Sequence, residues 1–188
     1  DLSFKQKGGN SRLIEIPALT HEADILFNQT GQELQISANK TTLKINELHL
    51  AEQGANPRVL TIPKISHETD LKFSQNDKGL QVTANKAMLD ISNLDFKDNG
   101  DNKILLTIPS LRHETDIKVS QNEKSLQVSV NKTKLDIKNI DFKGSGNNKM
   151  LVKIPRFSHE TDMQFNLADK IWQITANKTK LSSGNIQL

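Results

Sequence analysis

Thr61–Phe73 reads TIPKISHETDLKF, and the stretch returns three more times. Thr107–Val119 reads TIPSLRHETDIKV, Lys153–Phe165 reads KIPRFSHETDMQF, and Glu15–Phe27 reads EIPALTHEADILF. His-Glu-x-Asp behind an Ile-Pro pair has three possible meanings: a metal site, an acid–base site, or the exposed side of a repeated strand. Spacing is the first guide. The pairs Ile16-Pro17, Ile62-Pro63, Ile108-Pro109 and Ile154-Pro155 are 46 residues apart. The same step joins His21, His67, His113 and His159, and joins Asn39-Lys40, Asn85-Lys86, Asn131-Lys132 and Asn177-Lys178. Gly8, Gly54, Gly100 and Gly146 follow it as well. Markers that share one register identify a repeat array.

The units run at approximately 5–50, 51–96, 97–142 and 143–188, so residues 1–188 read as one array. The opening DLSFKQKGGNSRLIEIP matches Leu94–Pro109, LDFKDNGDNKILLTIP, and the last residues also stop partway through a unit. The chain is therefore expected to be a fragment of a longer repetitive protein.

Inside a unit the apolar period is two. Ile104, Leu106 and Ile108 alternate with other residues, and after Pro109 the parity shifts to Leu111, Ile117 and Val119. The turn-like SQNEKS follows, then Leu126, Val128 and Val130, then Leu135 and Ile137, then Ile140 and Phe142, then KGSGNN. This is strand, turn, strand, turn, with no helical periodicity. Turns are expected around Gln75–Lys78, Gly100, Gln121–Lys124 and Gly146. Matching apolar positions across SQNEKS pairs Val119 with Leu126 and Ile117 with Val128. Further out it pairs Leu111 with Leu135, Leu106 with Ile140 and Ile104 with Phe142, displaced by one residue, as a single bulge would produce. Across the next turn Phe142 meets Met150 and Ile140 meets Val152.

The expected fold class is all-β: an elongated antiparallel β-meander of four 46-residue repeats, with kinked strands of about 18 residues, curled into a groove or taco. The aligned prolines mark a bend shared by the whole sheet, because each removes one ladder hydrogen bond. A β-solenoid is the alternative.

On a strand, His113 and Thr115 share the parity of Leu111 and Ile117, whereas Glu114 and Asp116 point the other way. Equivalent histidines lie two strands apart, about 9.6 Å, while zinc–nitrogen bonds need about 2.1 Å. No metal site and no cofactor are expected, and the motif reads as architecture, with Glu114 facing Asn131, Asp116 facing Ser129 and His113 facing Lys132. Asp98–Asn102, DNGDN, has the flavour of a calcium loop, but QKGGN, EQGAN and GSGNN lack its acids. NKT at Asn39, Asn131 and Asn177 and NQT at Asn28 are sequon-like, yet the second copy has NKA.

Composition narrows the classes further. The chain has no Cys and no Tyr, one Trp and a net charge of +3 from interspersed charges. That excludes thiolate chemistry and argues against nucleic-acid binding. No apolar run approaches the roughly 18–20 residues of a membrane span. Nucleophile elbows and phosphate loops are absent, so the chain is not expected to be an enzyme.

The repeat type LDISNLDFK…NKILLTIP, together with the terminal WQITANKTKLSSGNIQL, resembles the long repetitive β-regions of AsmA-like envelope proteins (the AsmA, TamB and YhdP group). The resemblance implies a β-groove that is polar outside and apolar inside. It implies a periplasmic location, tethered to the inner membrane through a part absent here, and transport of phospholipid or another acyl-chain lipid. Envelope proteins would meet the ends of the array. The apolar face, read from the residues, gives the expected groove lining. Its first unit comprises Ile62, Ile65, Leu71, Phe73, Leu80 and Val82, and the next comprises Ile108, Leu111, Ile117, Val119, Leu126 and Val128. Ile154, Phe157, Phe165 and Trp172 continue it. The rival reading is a structural stalk or adhesin segment at the cell surface.

Overall fold

The computed structural model describes residues 1–6, 11–101, 103–145 and 149–188. Ten strands follow in chain order: β1 Leu2–Gln6, β2 Ser11–Ile16, β3 Ala18–Thr30, β4 Glu33–Gln53, β5 Arg58–Asn76, β6 Gly79–Asp98, β7 Lys103–Gln121, β8 Ser125–Ser145, β9 Met150–Ala168 and β10 Ile171–Ser183. All pairings are antiparallel, and sequence neighbours are sheet neighbours, except that β2 and β3 both pair with β4 around Pro17. The sheet is curled and does not close into a barrel. It is the expected meander, and its antiparallel ladders exclude a solenoid of parallel coils. Strands β4 to β9 have 19–21 residues, slightly longer than anticipated.

The expected register is displaced by two residues. Val119 pairs with Val128, Ile117 with Val130, Leu111 with Ile137 and Leu106 with Phe142, while Ile104 meets Gly144. Phe142 likewise meets Val152 rather than Met150, and Ile140 meets Ile154. The cause at the first turn is an asparagine. Asn122 Oδ1 accepts hydrogen bonds from the backbone N–H groups of Lys124 and Ser125 at 2.9 and 2.8 Å, which sets the reversal one residue later. Asn76 does the same for the N–H of Lys78 at 3.0 Å. A shift of two preserves every face assignment, because side chains alternate with period two. The turn at Gly100 lies between β6 and β7, whereas Gly146 and Gly8 fall outside the described residues.

The one-residue offset is also present. Glu114 pairs with Lys134 but Asp116 pairs with Asn131, so β8 carries one extra residue, and β4, β6 and β10 repeat the irregularity. The bulging residue is the lysine of each Asn-Lys pair: Lys40, Lys86, Lys132 and Lys178 have φ of 51°, 53°, 53° and 51°. A second interruption runs along the prolines. Glu47, Asn93 and Asn139 stand opposite Pro63, Pro109 and Pro155, outside the regular ladder, with φ of 66°, 56° and 55°. Proline and left-handed residue therefore alternate across the sheet, at the level where the apolar parity changes.

Hardly anything is buried. Ile62, 6% exposed, is the buried apolar residue among those described, and the accessible surface is 12981 Å². A compact monomer of 21.1 kDa would expose about 9,000 Å². Among the described residues substantial contacts join only strands adjacent in the sheet, so none of them forms a second layer over either face.

Two substitutions test this backbone. Gly79 has φ +135°, and a Cβ there would overlap the carbonyl oxygen of Gln121 at the neighbouring hairpin tip, whereas Gly31 at φ +61° faces open space. Gly79→Ala is expected to destabilise by roughly 2–3 kcal/mol and Gly31→Ala by about 1 kcal/mol, measured by denaturant unfolding. Glu47→Asn, which places a residue tolerant of positive φ opposite Pro63, is expected to stabilise by about 0.5 kcal/mol.

Candidate functional site: an open apolar face

Because the strands are in register, equivalent side chains form rows across the sheet. One row is Phe4, Ile14, Leu50, Leu60, Phe96, Leu106, Phe142 and Val152, each a direct ladder partner of the next. Another, beyond the prolines, is Leu19, Ile45, Ile65, Ile91, Leu111, Ile137 and Phe157. A third, past the bulge, is Phe27, Ile36, Phe73, Val82, Val119, Val128, Phe165 and Ile174. Such facing apolar pairs are the units that stabilise a sheet, each contributing a fraction of a kcal/mol.

Every residue expected to line the groove falls in these rows or beside them. Ile65, Leu111 and Phe157 share the second row, and Phe73, Val82, Val119, Val128 and Phe165 share the third. Leu71 and Ile117 lie between these two rows, alternating with Ala38, Ala84 and Val130. Ile62, Ile108 and Ile154 pair with Leu48, Leu94 and Ile140 beside the prolines. Leu80 and Leu126 flank Gln121 at the hairpin tips, while Trp172 pairs with Leu167 on β9. Trp172 is 62% exposed and Phe27, on the opposite edge, 64%.

The first row was absent from the expected lining, although the same alternation extends to the strand ends and signals it. Phe4, Ile14, Leu50, Leu60 and Phe96 line a concavity there, with Gln6, Arg12, Glu52 and Arg58 among its walls. The histidine row was also missed: His21, Leu43, His67, Leu89, His113, Leu135, His159 and Leu181 are successive ladder partners. His67, His113 and His159 each stand between leucines of the two flanking strands, and His21 on the edge strand pairs with Leu43. Among the described residues no group of three His, Asp or Glu side chains is placed to hold a metal ion.

The other half of the recurring motif works on the bulge. The backbone N–H of Lys40 donates to Asp70 Oδ1 at 2.9 Å, that of Lys86 to Asp116 Oδ1 at 2.7 Å, and that of Lys132 to Asp162 Oδ1 at 2.6 Å. The motif's threonine is buried between strands: Thr69, Thr115 and Thr161 are 4%, 8% and 7% exposed. Thr115 and Thr133 share a hydroxyl–hydroxyl bond of 3.0 Å, and Thr161 and Thr179 one of 3.1 Å. The anticipated contacts of the motif shift as well: Asp116 faces Asn131, two residues on, while Glu114 faces Lys134 and His113 faces Leu135, three residues on because they lie beyond the bulge. The repeated motif is architecture: its threonine fills the irregularity and its aspartate caps the freed N–H.

Charged groups occupy the opposite face and the strand ends. Arg112 lies 2.7 Å from Glu114, Arg156 2.8 Å from Asp136 and Arg58 2.9 Å from Asp98. Asp98 also receives the Gly100 N–H at 2.9 Å, and that bond, ahead of Arg58, holds its carboxyl below the usual range. The DNGDN turn thus uses its first acid to close itself. Lys132 Nζ sits 2.9 Å from Asp116 Oδ2, and this bond, followed by the Lys86 N–H, lowers the Asp116 pKa; the same contact raises that of Lys132.

A depressed carboxyl contributes stability above its unfolded value, near 3.9, and loses it as pH falls through the folded value. Asp116→Asn is therefore expected to cost about 1–2 kcal/mol at pH 7, after allowance for partial exposure of the group. Urea unfolding of both proteins down to pH 2.5 should show the difference shrinking below about pH 4. A difference constant with pH would remove the ionic cap.

Comparison with protein-family models, with curated proteins and with solved structures finds no match to this chain, so the chemistry of its two faces is what bears on function.

Proposed function

We propose that this chain is a non-enzymatic lipid-binding segment that shields acyl chains along its apolar face. The supporting observation is that the apolar rows run from one edge of the sheet to the other without a second layer over them. A soluble surface seldom leaves contiguous apolar patches above a few hundred Å² uncovered unless they meet a partner. Branched aliphatic side chains dominate the rows, which also hold all seven phenylalanines of the chain. Such rows match the chemistry of hydrocarbon chains, and the histidines of the neighbouring histidine–leucine row supply the polar groups on the same face.

The AsmA-like resemblance suggests the setting: a periplasmic groove carrying phospholipid or another acyl-chain lipid, tethered to the inner membrane by a part outside this chain. Strand length supports the same reading, because 19-residue strands give an apolar strip of about 60 Å. The structural reading, a stalk or adhesin, draws its support from the long unpaired edges of the sheet.

Photocrosslinking amino acids separate the two. Probes at Leu111 and Val128 are expected to capture phospholipid in envelope-containing cells, and probes at Glu114 and Lys118 are not. Equal capture on both faces, or none on either together with lipid-free native mass spectra, would leave the stalk as the function.

A further inference from the structure

Three members of the recurring motif have structural places. The aspartate caps the bulge, the threonine is buried between strands, and the glutamate lies on the charged face, where Arg112 donates to Glu114 at 2.7 Å. The histidine has none. His67, His113 and His159 are half-buried on the apolar face, and among the described residues no hydrogen bond reaches their rings. On the other face an imidazole is engaged: His49 Nδ1 lies 3.3 Å from Thr61 Oγ1. If packing were the row's only task, leucine would serve at every position, as it does on the strands between.

Along its own strand His113 lies between Leu111 and Thr115, and across the ladder it meets Leu89 and Leu135. The next positions on those flanking strands are alanine, threonine and isoleucine, so among the described residues no charged group shares the face within one row of the ring. His67 and His159 have surroundings of the same kind. An imidazole carries at least one N–H donor in either protonation state, and a donor without an internal acceptor is satisfied from outside. Anionic oxygen is the strongest such acceptor, and no carboxylate on this face repels it.

The row also bisects the apolar strip. His67, His113 and His159 stand at or next to the middle of the 19-residue strands β5, β7 and β9. Roughly nine residues, or about 30 Å of strand, lie to either side. An acyl chain spans about 15 Å, half of a bilayer's hydrocarbon core, so a lipid whose head sits at the row keeps its chains on apolar side chains. We infer that the histidine row is the head-group site of the lipid-binding face. The N–H groups of His67, His113 and His159 each hold an anionic oxygen of a lipid head, and the acyl chains lie along the strands from there. Equivalent rings are about 9.6 Å apart, so each takes a separate head. The inference rests on the lipid reading above and adds a selectivity to it, for acidic over neutral heads.

Native mass spectrometry reads the selectivity on the full chain, loaded from mild detergent with equal amounts of phosphatidylglycerol and diacylglycerol bearing the same chains. Phosphatidylglycerol is expected to be retained roughly tenfold over diacylglycerol. The triple variant His67→Leu, His113→Leu, His159→Leu continues the leucines of the flanking strands and should bind both lipids at a ratio near one. Glutamine at the same three positions keeps an N–H donor and should keep a preference of several-fold. In the wild-type chain the three imidazole NMR signals should shift with phosphatidylglycerol and not with diacylglycerol. An undiminished preference in the leucine variant would overturn the inference and leave the lipid reading intact. Unshifted imidazole signals would do the same even where that variant fails to fold. A wild-type chain that takes up neither lipid would overturn both readings. Histidine-dependent broadening of the phosphorus signal of inorganic phosphate, without preference between the lipids, would give the row to a free anion and overturn the lipid assignment.

Discussion

Register is the constraint on which everything else in this protein depends. A sheet without a second layer cannot rely on a core to hold its strands in place. A slip of one residue would exchange its faces. Three devices prevent such slips at three levels along the strands. Asn76 and Asn122 close the hairpin tips, the aspartate-capped lysine bulge fixes the middle, and the prolines with their left-handed partners fix the far third. The bulge device is the most demanding. A lysine at positive φ is strained by about 1 kcal/mol or more, and its N–H leaves the ladder. The neighbouring strand supplies an aspartate in hydrogen-bond range at every internal copy. Irregularity and cap therefore specify each other, and only one alignment satisfies both.

The same arrangement explains which features the sequence displayed. Period-two alternation and the 46-residue step made the strands, the meander, the offset of one residue and the proline level legible, because each is a property of position along the chain. The apolar residues that make up the rows were legible for the same reason. The two-residue displacement was not, since side-chain alternation is indifferent to an even shift and the deciding hydrogen bonds belong to Asn122 and its turn. The role of the aspartate was hidden for a different reason. Asp116 caps Lys86 on the preceding strand, whereas its nearest chemical suggestion within the motif is the histidine three residues earlier, which points to the other face. Neither the open single layer nor its lack of a core follows from alternation, because a face-to-face sandwich has the same pattern.

Polar and apolar faces also differ in how firmly they are defined. On the charged side, pairs such as Arg112–Glu114 and Arg156–Asp136 are half-exposed, and each contributes only tenths of a kcal/mol. They keep that face soluble more than they hold the sheet together. On the apolar side, whole rows of aliphatic residues meet across every strand, yet they remain half-exposed because nothing lies above them. The unburied area is a reserve of hydrophobic free energy, at about 25 cal/mol per Å². A ligand that covers it gains that energy without any rearrangement of the backbone, provided that the ligand is long, flexible and apolar.

Edge and face pose the same physical problem in two directions. An unpaired strand edge exposes a row of N–H and C=O groups, and natural sheets usually shorten, charge or cover such edges. Here β3 and β10 each extend for 13 residues, and Phe27, Trp172 and Ile174 stand on them more than half exposed. Continuation of the repeat pattern across an edge satisfies the backbone and extends the apolar rows in one step, since the side chains that face each other there are the ones that already face each other inside. A second layer over the apolar face would satisfy only the rows and leave the edges open. Lateral continuation of the sheet and occupation of its face by hydrocarbon are therefore compatible, and together they would leave no part of the structure without its complement.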